Sequence, residues 1–246
     1  MSFVEILPFI STLIMFVFAV SVFRRYAVRR APHFLFWGIG LTMFGIGSFA
    51  EAYLALAWNQ WIFFCWYLFG AALNAAYIGH GTLHLLSRRR WVMGVTIALV
   101  VASVFAGFLM LRVMPLLNAS AFTTSKPISE QYQQIMPPIG AGGGVRLTTP
   151  FFNIYGLITL VGGALYSAYL FWRKRVLPNR VIGNVLIAAG ALSIGSASAL
   201  TRFGYGQFLF GGELIAAILM YWGFTLAGRP AVQAEPVAEA APAAAD

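Results

Sequence analysis

A single cysteine, Cys65, excludes an intramolecular disulfide and any zinc or iron–sulfur site built from cysteines. Charge is as scarce: only 9% of the residues are Asp, Glu, Lys or Arg, against roughly 25% in soluble domains. Lysine occurs only at Lys126 and Lys174, and histidine only at His33, His80 and His84. There is no phosphate-binding loop, catalytic triad or acidic metal cluster to read. What fills the chain is apolar. Hydrophobic residues make up 60% of it, the mean hydropathy is +0.80, and the apolar residues run in blocks near the roughly 20 needed to cross a bilayer as a helix. This is the composition of an integral membrane protein.

Seven spans follow from the hydropathy: Ile6–Phe23, Phe34–Ala57, Trp61–Leu86, Trp91–Val113, Phe151–Trp172, Val181–Thr201 and Phe208–Ala227. Open strands cannot satisfy their backbone in lipid and no barrel-like alternation is present, so the spans are helices. Arginines set the orientation. Arg24, Arg25, Arg29 and Arg30 follow the first span, Arg88, Arg89 and Arg90 the third, and Arg173, Lys174, Arg175 and Arg180 the fifth, with Arg229 after the seventh. Basic loops stay on the cytoplasmic side, which predicts a seven-transmembrane-helix, all-α bundle with its N-terminus outside and its C-terminus in the cytoplasm. The first span has Glu5 before it and its arginines after it, the reverse of a signal peptide, and reads as a retained span. The net charge of +9 is then topogenic, and nucleic acid is not a partner.

Two segments fall outside the spans. Residues 114–150 form a long exterior loop, rich in proline and carrying the run Gly140–Gly144, of the kind that makes lids, docking surfaces or mobile segments. Residues 229–246 are rich in Ala, Pro and Glu and read as a disordered cytoplasmic tail behind a transmembrane domain of residues 1–228.

Ionisable residues inside a span cost about 2.5–3.5 kcal/mol each on insertion scales, so each needs a physical reason. Glu51, Arg202 and Glu213 all fall in the outer third of the bilayer. Arg202 and Glu213 flank a short turn and predict a structural ion pair between the last two helices, which Glu51 can share. A ligand site at this level would be lined by Trp66, Tyr67, Asn74, Asn153 and Tyr155, with Trp58 beside them. The small residues of the second and sixth spans, Gly38, Gly40, Gly45 and Gly47, then Gly190, Ser193 and Gly195, predict close helix packing.

His80 and His84 share one face of the third span, just before three arginines. They lie roughly 15–20 Å below the carboxylates at about 1.5 Å per residue. With His33 at the mouth of the second span they form a candidate zinc triad with an open fourth position. No Asp or Glu lies nearby to orient such ligands or to act as a base. The alternative is a membrane-edge pair in which His80 bonds a neighbouring carbonyl or hydroxyl.

Seven spans invite comparison with microbial rhodopsins, but those carry a retinal-binding lysine in the last helix, and none is present here. Seven-helix zinc hydrolases of the adiponectin-receptor and ceramidase type place their H-x-x-x-H pair in the last helix, not the third. The stretches "YLFGAALNAAYIGHGTLHLL" (Tyr67–Leu86), "ALTRFG" (Ala199–Gly204) and "GGELIA" (Gly211–Ala216) resemble the third helix and last hairpin of a group of uncharacterised bacterial seven-helix membrane proteins. That resemblance implies the bundle and no activity.

Composition and patterning together predict a non-enzymatic multi-pass protein of the inner (cytoplasmic) membrane. It would be an accessory or scaffold subunit, or a binder of a lipophilic ligand such as a lipid, quinone or pigment. Its partners would be membrane lipids and other membrane subunits. Two alternatives remain open: a zinc-dependent intramembrane hydrolase using His33, His80 and His84, and a proton-coupled transporter using Glu51 and Glu213. Seven spans do not divide into two equal repeats, which weighs against transport.

Overall fold

The computed structural model describes residues 3–87, 89–174, 178–201 and 203–228. Among the described residues all regular structure is helical. We number the helices α1 (Phe3–Arg29), α2 (Pro32–Leu54), α3 (Gln60–Leu86), α4 (Trp91–Val113), α5 (Ile128–Ile135), α6 (Gly144–Arg173), α7 (Pro178–Thr201) and α8 (Gln207–Ala227). All but the short α5 are long and apolar enough to cross a membrane. The chain is therefore a seven-span helical bundle, as its hydropathy predicts.

The boundaries differ from the sequence reading where local chemistry decides them. α1 does not stop at Phe23 but runs to Arg29, because no Gly or Pro intervenes and long arginines can reach polar surroundings from a helix. Its end is set by Arg30 at φ 49, a left-handed residue, followed by Pro32 at the start of α2. Arg24, Arg25 and Arg29 thus ride on the helix and not in a loop, and the Arg25 guanidinium sits 4.1 Å over the ring of Phe224. α6 starts earlier than expected, through a 3₁₀ turn at Gly144–Leu147. Pro150 falls within the first α-helical turn after it, which begins at Thr148, where a missing N–H costs nothing.

α3 is the central helix, packed against α2 on one side and α6 on the other. Two glycine contacts allow this. A Cβ on Gly47 of α2 would overlap Gly70 of α3, and a Cβ on Gly79 of α3 would overlap Thr159 and Gly156 of α6. Small residues let backbones approach and collect dispersion energy where lipid offers no hydrophobic drive. Both α3 and α6 also carry a stretch of π-helix, Trp66–Leu73 and Ile158–Gly162. α4 is the least embedded span, with 17% of its apolar stretch buried against 56% for α2 and α3.

The segment 114–150 is ordered and packed. It contains α5, bounded by Pro127 before and Pro137 two residues after. Ile128, Ile135, Met136 and Val145 join Leu54, Phe63, Trp66, Met110 and Val113 in one apolar cluster that closes one end of the bundle. Buried Gln131 staples the segment internally, its amide donating to the carbonyls of Thr123 and Lys126 and its Oε1 accepting from the Thr123 N–H. Glu130 Oε1 accepts from the Gly206 N–H at 2.7 Å, tying the segment to the α7–α8 turn. The tail expected at 229–246 lies outside the described residues.

Gly47→Val forces α2 and α3 apart and is expected to lower the thermal midpoint in detergent, at a cost of about 1–3 kcal/mol. Gly94→Ala on α4 meets open space and should gain up to about 1 kcal/mol by helix propensity. Melting curves of the two variants beside the parent check both signs.

Candidate functional site

The polar residues of α3 build its contact with α4. Tyr77 and His84 are seven residues apart, as are Thr96 and Ser103 on the antiparallel α4, so each pair lies along one helix face. The Tyr77 hydroxyl donates to Ser103 Oγ at 3.2 Å, and His84 Nε2 lies 3.1 Å from Thr96 Oγ1. His80 is fully buried between them. Its Nε2 is 2.8 Å from Thr96 Oγ1 and its Nδ1 is 2.6 Å from the Tyr155 hydroxyl of α6.

The proton directions follow from Thr96. Its single hydroxyl proton goes to the Val92 carbonyl at 2.9 Å, so Thr96 can only accept from the imidazoles. His80 therefore carries its proton on Nε2 and receives at Nδ1 from Tyr155. Every polar atom of the buried imidazole is used. Phe36 of α2 closes the group, stacked on His84 at 5.0 Å and edge-on to His80 at 4.7 Å.

Tyr155 also faces a cleft between α4 and α6. This space has a volume of about 350 Å³ and is lined by Val95, Leu99, Ala102, Phe105, Phe152 and Tyr155, among others. Phe105 and Phe151 at its rim are 55% and 75% exposed, so the cleft is open toward the surface that lipid would cover. It exists because α4 is held by a line of polar contacts to α3 and meets α6 only loosely. Of its residues, Val92, Leu99, Ala106, Met110 and Val113 are buried. The arrangement is an apolar groove with one hydroxyl in its wall, the hydroxyl itself fixed by a buried histidine.

The other residues expected to line an outer ligand site make the following contacts. Asn74 donates to the Gly70 carbonyl at 2.7 Å and accepts from the Ala75 N–H, while Asn153 donates to the Ala71 carbonyl at 3.1 Å. Both carbonyls belong to the π stretch of α3, where widened turns leave acceptors to satisfy. Trp66 and Tyr67 are buried beneath the 114–150 segment, Tyr67 sharing a hydrogen bond with Thr149 at 3.0 Å and both rings packing near Tyr132. Trp58 packs on Phe63 and Phe122.

The three histidines are not brought together. His33 packs on Phe34 and Trp37, and among the described residues no three His, Cys, Asp or Glu are grouped to hold a metal ion. Glu51 and Glu213 do meet, and Ser48 donates to Glu213 Oε2 at 3.1 Å. Arg202, the cation expected to pair with them, lies outside the described residues. Sequence reasoning missed Thr96, Ser103 and Glu130, although the matching seven-residue spacings on α3 and α4 carried the signal for the first two.

Fold and site define a multi-pass helical membrane protein with an apolar cleft at the edge of its bundle. No protein-family profile, curated protein or solved structure matches the chain.

Thr96→Val keeps the shape but leaves the buried His80 Nε2–H without an acceptor, a loss of about 1–3 kcal/mol. A lowered melting midpoint in detergent is expected, larger than that of Ser103→Ala. An unchanged midpoint would show that the network does not hold α4.

Proposed function

We propose that the protein is a non-enzymatic polytopic protein of the inner (cytoplasmic) membrane that binds a lipophilic ligand in the α4–α6 cleft. The observation that carries this is the cleft itself: about 350 Å³ of apolar space, at the low end of the roughly 300–1,000 Å³ of small-molecule pockets. An acyl or prenyl chain, or a flat ring such as a quinone or pigment, fits between Leu99, Ala102 and Phe152. A single polar head can bond to the Tyr155 hydroxyl, which can still accept while it donates to His80. Catalysis would need a nucleophile or base free to act, and His80 has both ring nitrogens committed.

The orientation belongs to the same reading. Arg24, Arg25, Arg29 and Arg30, then Arg89 and Arg90, then Arg173, Lys174 and Arg180 fall at the connections after α1, α3 and α6, which alternate crossing places on one side. That side is cytoplasmic by the positive-inside rule, with the 114–150 cap outside.

Two measurements test the proposal. Protein purified in mild detergent and extracted into organic solvent should yield about one lipophilic molecule per chain by mass spectrometry and absorption, the ratio for one ligand in the α4–α6 cleft. Ala102→Trp, which fills the cleft, should bring the yield to background while the melting curve stays cooperative. An equal yield from the variant would refute the site. For orientation, a C-terminal green fluorescent fusion should fluoresce and a C-terminal alkaline phosphatase fusion should be inactive; the opposite pattern overturns the inside assignment.

A further inference from the structure

Two carboxyl groups far apart in sequence meet inside the bundle, away from the cleft. Glu51 in the last turn of α2 is 3% exposed, and Glu213 in the second turn of α8 is 7% exposed. The two carboxyl groups are neighbours in this buried space. Ser48, one turn before Glu51, donates to Glu213 Oε2 at 3.1 Å. Glu51 Oε1 is buried with no hydrogen-bond partner.

A hydrogen bond between two carboxyl groups requires a proton on one of them, because two carboxylates offer acceptors only. Glu213 already accepts from Ser48, so it is the better-stabilised anion and the proton belongs on Glu51. Two adjacent carboxylates cannot both stay charged in a site that excludes water, and one shared proton removes the repulsion. We propose that Glu51 and Glu213 form a buried carboxyl dyad that holds one proton, a proton-binding site sharing no residue with the α4–α6 cleft.

Among the described residues, the elements packed around the pair bring few charged groups to it. α1 carries no acidic or basic residue from Ile6 to Phe23, and α7 none from Val181 to Thr201. α3 contributes Cys65 and Tyr67 near this end, the latter bonded to Thr149. α2 adds Tyr53, and α8 adds Tyr221 toward its far end. In the capping segment Glu130 is held by the Gly206 N–H, and Arg146 sits 6.0 Å over the Tyr132 ring. Arg202 follows α7 and is addressed by its own variant below.

Infrared spectroscopy of the full-length protein at neutral pH tests the dyad, because the C=O stretch of a protonated carboxyl is separate from those of carboxylates and amides. The wild type should show such a band. It should vanish in Glu51→Gln and persist, displaced, in Glu213→Gln, where its acceptor has changed. A wild-type spectrum without the band overturns the proposal whatever the variants do, and so does a band that survives Glu51→Gln unaltered. If either Gln variant fails to fold, Ser48→Ala gives the readout, since removing the donor to Glu213 should shift the band; no shift counts against the dyad. Arg202→Gln should leave the band in place. A band seen in that variant alone would mean an ion pair with Arg202, and the dyad would be lost.

Discussion

The close approach of α3 to both its neighbours is the constraint on which the rest depends. In lipid there is no water to expel between helices, so association rests on contact and on hydrogen bonds. Gly47 against Gly70 and Gly79 against Gly156 bring three backbones together along the middle of the molecule. Only with α6 drawn that near does the Tyr155 hydroxyl reach His80, and only with α3 seated in α2 does Phe36 lie against both histidines. A bulkier residue at any of these glycines would separate the elements, and at Gly79 it would first displace the Thr159 hydroxyl.

Polar chemistry is placed at two levels, and it does different work at each. Near one end, Tyr77, His80 and His84 attach a weakly buried α4 to the bundle through Ser103 and Thr96. Hydrogen bonds across membrane helices are worth only about 0.6 kcal/mol on average, so a line of them can hold a helix without sealing it, and a cleft remains beside it. Near the other end, Glu51 and Glu213 join α2 to α8, under a segment whose apolar cluster excludes water from above.

The seven spans were legible because twenty apolar residues in a row admit few other readings, and Trp91–Val113 matches its expected limits at both ends. The helix ends at Arg29 and Gly144 were less legible, since charge and proline are weaker stop signals than a left-handed residue or a 3₁₀ turn. Asn74 and Asn153 were read as ligand contacts because a polar residue in a span calls for a partner. That partner is the carbonyl row of a π stretch, which no residue pattern announced. Glu130 escaped notice for the converse reason: outside the spans a carboxylate needs no explanation, yet it joins the cap to the α7–α8 turn. The meeting of Glu51 with Glu213 depends on which helices become neighbours, and that is decided by packing across the whole bundle.

The π stretch of α3 also has a consequence for phase. Each widened turn accommodates a residue that a regular helix would not, and one residue corresponds to about 100° of rotation at 3.6 residues per turn. The half of α3 that carries Tyr67 and the half that carries His80 are therefore offset around the helix axis. One half can address the cap while the other addresses α4 and α6. A one-residue deletion between Trp66 and Leu73 would preserve composition, length within a turn and hydropathy. Because the widened turn already absorbs an extra residue, such a deletion would let it close into regular helix with His80 and His84 keeping their neighbours, whereas the same deletion beyond Leu73 would swing both onto a different neighbour.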